Sequence, residues 1–243
     1  MTEPLQPQPE QAPTSRMRYV AFCDVLGFAN AVHDQFEETL AVYAEFMKRM
    51  RDWPFPERAE VCVYSDSILI VSDDLPPVIH AVKNLWFATL TQDWLIRGGI
   101  AYGRYWEQRL NGSLFVVSDA LVRAVRLEAS VGIPAVAFSP EVDLTLAAWV
   151  PRFEHGLLEA PVLHFRDLSF VNPFNPYWFM SARMRVAQLL DRFPEHSEKY
   201  NWFLDLTSAV EQRELLVPEA ILAELLDKEI LVQNPPTVAP DVV

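Results

Sequence analysis

The chain has 243 residues, a formal charge of −13 and a 51% hydrophobic composition that includes seven Trp and fifteen Phe. Length and apolar content of this order support one large domain, or a domain with an appendage. The acidity excludes a basic footprint for nucleic acid or anionic lipid. No apolar run is long enough to span a bilayer, and the first residues lack a basic-then-apolar export signal, so a cytoplasmic protein with neither nucleic-acid nor membrane partners is expected.

Residues 1–16, rich in Pro and Gln, read as a flexible leader. Tyr19–Asp24 reads as a buried strand, followed by Val25-Leu26-Gly27-Phe28 at a strand-to-helix turn. Phe36–Arg51 has helical periodicity, with Leu40, Tyr43, Phe46 and Met47 on one face, and Asp52-Trp53-Pro54-Phe55-Pro56 stops it. Val61–Tyr64 and Ile68–Val71 read as strands joined tightly through Ser65-Asp66-Ser67. A helix starting at Asp73-Asp74-Leu75-Pro76-Pro77 runs to about Gln92. Ile96–Tyr105 is the next strand, with Leu114–Val117 as its hairpin partner. Ser118–Ala129 is a helix that Ser118 or Asp119 can cap, and Ala135–Phe138 returns as a strand. This order predicts an α+β fold, a ferredoxin-like or palm-type core β-α-β-β-α-β. Beyond Asp143 an aromatic-rich loop, Phe170–Phe179, precedes helical patterns at Met180–Arg192, Glu195–Thr207 and Pro218–Lys228. The expected organisation is a leader (1–16), a core (17–145), a helical C-terminal extension (146–232) packing on the core or on a partner, and a flexible tail (233–243).

Two aspartates stand out. Asp24 closes one apolar strand and Asp66 sits between two others. A carboxylate where a buried strand emerges is costly to desolvate unless something cationic meets it. Two of them on neighbouring strands make a hard-oxygen site suited to Mg²⁺ and a phosphate chain, although Asp66 alone also reads as a turn residue. Only seven glycines occur, against roughly 17 from average usage of about 7%. Five of them, Gly27, Gly98, Gly99, Gly103 and Gly112, cluster around these strands, where a missing Cβ permits close approach of backbone or ligand. Cys23 and Cys62 both lie in apolar strand runs and read as small buried hydrophobes. The five histidines are scattered, without the spacing of a zinc site.

Phe22-Cys23-Asp24-Val25-Leu26-Gly27-Phe28, Tyr64-Ser65-Asp66-Ser67-Ile68, Ile96-Arg97-Gly98-Gly99-Ile100 and Asp119-Ala120-Leu121-Val122-Arg123-Ala124-Val125-Arg126-Leu127-Glu128 occur in the order of the class III nucleotide cyclases. The chain resembles the bacterial pyrimidine cyclases of Pycsar antiphage defence most, well over residues 18–140 and weakly beyond, where Lys199-Tyr200-Asn201-Trp202 is also similar. The resemblance implies cyclisation of UTP or CTP to cyclic UMP or cyclic CMP, with two Mg²⁺ or Mn²⁺ ions per site held by Asp24, Asp66 and the Val25 carbonyl. It implies Arg126 as the cation answering charge on the phosphorane, with Arg97 and Arg123 as weaker candidates for phosphate contact; alone, Arg126 reads as a surface salt bridge. Leu26, Gly27 and Phe28 would lie at the phosphates, and Tyr64 and Phe115 near the base. Active sites would form between two head-to-tail protomers of a homodimer. The chain departs from the family at Val122, where an asparagine usually orients the ribose. It departs again at Cys62 and Phe115, where adenylate cyclases carry a purine-selecting lysine and aspartate. Absence of that donor–acceptor pair disfavours ATP. The alternatives are a purine cyclase with an unusual pocket, or a degenerate homologue that only binds nucleotide.

Overall fold

The computed structural model describes residues 14–52, 56–149, 160–175, 177–212 and 216–231. The expected tail and residues 1–13 of the expected leader lie outside them, as do Trp53–Phe55 of the helix-stopping segment. Strand β1 (Arg16–Val25) is central and follows a period of two. Tyr19, Ala21, Cys23 and Val25 join the large core on one face, while Val20 and Phe22 join a smaller cluster on the other. Asp24 follows that second set in register.

After β1, a left-handed Gly27 (φ 80°) leads into a short helix α1 (Phe28–Asp34) and then α2 (Phe36–Asp52). On α2 only part of the expected face is covered: Phe46 is buried and Tyr43 packs against it, but Leu40 and Met47 are about half exposed, at 50% and 58%. Strands β2 (Glu60–Tyr64) and β3 (Ser67–Ser72) form a hairpin whose turn is Ser65-Asp66, Ser65 having φ 57°. Cys62, expected to be buried, is exposed, because β2 is the sheet's edge strand; Cys23 is buried as expected.

Helix α3 (Leu75–Leu90) carries Pro in its first turn and is apolar nearly all round, so it lies within the core. Strand β4 (Ile96–Leu110) is longer than expected and pairs with β5 (Ser113–Ser118). Helix α4 (Asp119–Ser130) is capped by Ser118, whose hydroxyl accepts from the Leu121 amide. Strand β6 (Val136–Phe138) then lies parallel to β4.

The sheet order is β2-β3-β1-β4-β6-β8-β7, with β5 on β4. Its first four strands are the antiparallel 2-3-1-4 order of a ferredoxin-like layer, so the expected palm-type α+β core is present. The segment after residue 145 is more than helical. Strands β7 (Val162–Phe165) and β8 (Leu168–Val171) form a hairpin that extends the same sheet through β6. Helices α5 (Phe179–Arg192), α6 (Ser197–Glu211) and α7 (Glu219–Asp227) follow. The aromatic run packs on the chain's own core, one of the two placements expected for the extension. Phe170, Phe174, Trp178 and Phe179 are buried, Phe174 lies edge-on to Phe179 and Phe203, and Tyr177 alone of the run's described rings is exposed. Among the described residues, no helix is long and apolar enough to cross a membrane.

Candidate active site

Register places the site. Asp24 pairs across the ladder with Ser67 of β3 on one side and with Arg97 of β4 on the other. Asp66 is the turn residue immediately before Ser67, and the Val25 amide donates to the Asp66 carbonyl at 3.2 Å. That bond ties the β2–β3 turn to the end of β1 and brings the two carboxylates together. Tyr43 steadies the same turn from α2, its hydroxyl donating to the Ser65 carbonyl at 2.9 Å.

Electrostatics bear the mark of this proximity. Burial pushes the Asp24 carboxyl up, and the Asp66 and Glu128 carboxylates push it further, to about 6, although Arg97 opposes them. Arg97 donates to Asp24 Oδ2 from a guanidinium nitrogen at 3.4 Å. Its Nε lies 2.5 Å from Glu128 Oε1, and the Glu128 side chain is only 9% exposed. Among the described residues no group of three or more His, Cys, Asp or Glu side chains is arranged to hold a metal ion. The donors that the site does bring together are the two hard carboxylates of Asp24 and Asp66, with an excess of negative charge that one guanidinium does not balance. A hard divalent cation fits such a set.

The residues expected at the phosphates and near the base divide into three groups. Leu26 and Gly27 line a cavity of about 560 Å³ between α1, α2 and the C-terminal helices, opposite Arg192, Lys199 and Tyr200. Phe28 turns away from it into the core, its ring edge-on to Trp94 at 5.4 Å. Tyr64 on β2 is 82% exposed and Phe115 on β5 is 51% exposed, so both rings are open to a ligand or another protein surface.

Helix α4 has two faces. Ala120, Ala124 and Glu128 are buried against the sheet, while Val122, Val125 and Arg126 face outward. No ion pair involves Arg126 among the described residues, whereas Arg123 is taken up by Asp119, by Glu141 at 3.0 Å and by the Tyr102 carbonyl at 2.8 Å. Two of the clustered glycines permit the close approach expected of them, on the side of α4. A Cβ on Gly99 would lie 2.4 Å from the Ala124 carbonyl oxygen, and one on Gly103 would meet the Arg123 guanidinium. They let α4 lie against β4, while Gly27 and Gly112 take up left-handed turns at φ 80° and 81°. Glu128 had no expected role, although one signal marked it: a carboxylate at the third position of an otherwise all-alanine buried stripe, 120, 124 and 128.

The fold and this carboxylate pair together define a palm-type α+β domain with an acidic site at the ends of its central strands. No family model matches the chain, and no curated protein matches it. Solved structures similar to it are nucleotide cyclase domains. The adenylyl cyclase CyaB from P. aeruginosa is 13% identical, with 54% of this chain and 80% of that one covered, at a TM-score of 0.43. The guanylyl cyclase Cya2 is 13% identical over 69% of this chain and 98% of its own, at 0.47. A bacterial light-regulated adenylyl cyclase is 17% identical over 72% and 99%, at 0.45.

Proposed function

We propose that this chain is a metal-dependent pyrimidine nucleotide cyclase, making 3′,5′-cyclic UMP or cyclic CMP and pyrophosphate from UTP or CTP as a second messenger in antiphage defence. The observation that carries the reading is the juxtaposition of Asp24 and Asp66 at the end of β1, joined by the Val25–Asp66 backbone bond. Asp24 and Asp66 would hold Mg²⁺ or Mn²⁺, which when bound lowers the pKa of a coordinated hydroxyl and neutralises triphosphate charge. The two carboxylates fix where that charge sits, and β1 and the hairpin hold them without reorganisation. The ribose 3′-oxygen, its proton lost to solvent, forms a bond to the α-phosphorus. The bond to the β-phosphate oxygen breaks in line, and pyrophosphate leaves. Arg126 supplies the cation for the charge that accumulates.

Arg126 is exposed on the outward face of α4, which supports the reading that it serves the site of a second protomer in the head-to-tail homodimer that the family resemblance implies. Half-exposed apolar side chains on the same outward features, among them Val122 and Phe115, support a covered face. The pyrimidine preference rests on Cys62 and Phe115, neither of which offers the hydrogen-bonding pair that an adenine edge needs.

The test incubates purified protein with Mn²⁺ and each of the four triphosphates, identifying products by mass. Cyclic UMP or cyclic CMP is expected, and Asp66→Ala should abolish it. Purine products alone would move the reading to a purine cyclase. Cation-dependent nucleotide binding without product would make the chain a degenerate homologue, the reading that Val122 favours.

A further inference from the structure

Glu128 occupies an unfavourable place for a carboxylate. It lies in the last turn of α4, where the helix dipole already presents negative charge. It is buried, and its neighbours include Asp24 and, beyond it, Asp66, two further carboxylates. Its charged partner is Arg97, at 2.5 Å from Nε, with the N–H not aimed at the oxygen, so the contact is an ion pair rather than a hydrogen bond. Buried pairs of this kind seldom stabilise a fold more than apolar residues of the same volume. If Glu128 served only to tether α4 to β4, the alanines that precede it on the same face and the close approach at Gly99 would suffice.

Arg97 is shared unequally. Its Nε is close to Glu128, while a terminal nitrogen is 3.4 Å from Asp24, a long and weak contact. Three carboxylates and one guanidinium leave two net negative charges, the complement of a divalent cation. Without Glu128, the carboxylate next nearest to Arg97 is Asp24, and the guanidinium would close on it.

We propose that Glu128 is a positioning residue that sets the cation affinity of the Asp24–Asp66 pair by holding Arg97 off Asp24. This rests on the reading of those two aspartates as the cation site. Partners of metal ligands typically change affinity by about 10–100-fold when replaced, which fixes the scale of the test.

Mn²⁺ alone is titrated into the full chain by calorimetry, with melting in EDTA as a check of folding. Glu128→Gln should weaken Mn²⁺ binding about tenfold or more, and Arg97→Gln/Glu128→Gln should recover it to within about threefold, because the competing guanidinium is gone. Glu128→Asp keeps the charge but draws the carboxylate back from Arg97, and should also weaken binding. It gives the answer even if Glu128→Gln does not fold. Wild-type affinity in folded Glu128→Gln, or in Glu128→Asp, overturns the proposal, as does a double variant no better than the single one. If wild type binds Mn²⁺ no better than Asp66→Asn does, the cation-site reading fails and takes this proposal with it. Unchanged affinity in the Glu128 variants alone leaves the cation-site reading standing.

Discussion

Replacing Asp24 by Asn should make the cation-free protein more stable while removing its response to cations. The folded carboxyl is raised from 3.8 to about 6, first by burial and then by the Asp66 and Glu128 charges. Between these two values the native chain binds more protons than the unfolded chain, so stability falls as pH rises. The penalty is absent below the unfolded value, accrues between pH 4 and 6, and is complete above. Two pKa units correspond to about 2.7 kcal/mol. The Asp24 side chain is 22% exposed, and screening by water reduces the usable figure to about 1–2 kcal/mol. A neutral isostere removes the penalty, so Asp24→Asn in EDTA at pH 7.5 should melt roughly 2–8 °C higher than wild type. The difference should hold level from pH 7 to 8 and narrow toward pH 5. Added Mn²⁺ should raise the wild-type melting temperature, by about 2.7 kcal/mol of stability at a hundredfold excess over Kd, and leave the variant unmoved. Differential scanning calorimetry with and without EDTA reads all of these. A cation-free variant no more stable than wild type, or one still stabilised by Mn²⁺, would refute the reasoning that the two carboxylates repel each other and are held for a cation.

Arg126→Ala should lower kcat by about a hundredfold or more with little change in melting temperature, since the side chain is exposed and without an ion pair among the described residues; steady-state kinetics on the triphosphate that turns over would show it. Gly99→Ala should destabilise by about 2–3 kcal/mol, because its Cβ would lie 2.4 Å from the Ala124 oxygen and 2.8 Å from Leu127 Cβ; urea unfolding measures this, and the displaced α4 should cost activity beyond the loss of folded protein. Phe174→Ala, in the C-terminal core, should destabilise by about 3–5 kcal/mol in a single transition shared with the central sheet; a separate early transition would show that the extension melts by itself.

The core was legible where strands are long and repeat every two residues. Tyr19–Asp24, Ile68–Val71 and Ile96–Tyr105 each state their buried face, and pairing then fixed Asp24 opposite Arg97. The β7–β8 hairpin was not legible because its strands are four residues each and its turn is Arg166-Asp167. Both turn residues take positive φ, 50° and 62°, without the Gly or Asn that usually signals such a turn. Leu40 and Met47 show another limit: periodicity tells which side chains share a helix face, and not whether the chain itself covers that face. In the site, Asp24 and Asp66 were visible because carboxylates break apolar runs. Glu128 was hidden because its partner is 31 residues away on β4 and only packing of α4 at Gly99 brings them together.

On the proposed reading, helix α4 bears on how a chain of charge −13 would accommodate a triphosphate. Its inner face sends Glu128 toward Asp24 of the same chain and adds negative charge there, which no triphosphate would approach unaided. Its outer face offers Arg126, four residues along from Val122 on the same exposed side, and no carboxylate of its own chain pairs with it among the described residues. One helix thus carries an acid inward and a base outward, two residues apart. A divalent cation at the acidic site cancels the two net negative charges there, so the repulsion of phosphate is lifted at that point. Affinity for nucleotide should consequently be small without a divalent cation and should rise steeply when one is present. Binding of UTP and CTP measured by calorimetry in EDTA and in Ca²⁺, which takes hard-oxygen ligands in a looser geometry than Mg²⁺, should differ by tenfold or more, an order set by about 1.4 kcal/mol of added attraction. Equal affinity in the two conditions would mean that the acidic pair is not where the triphosphate binds.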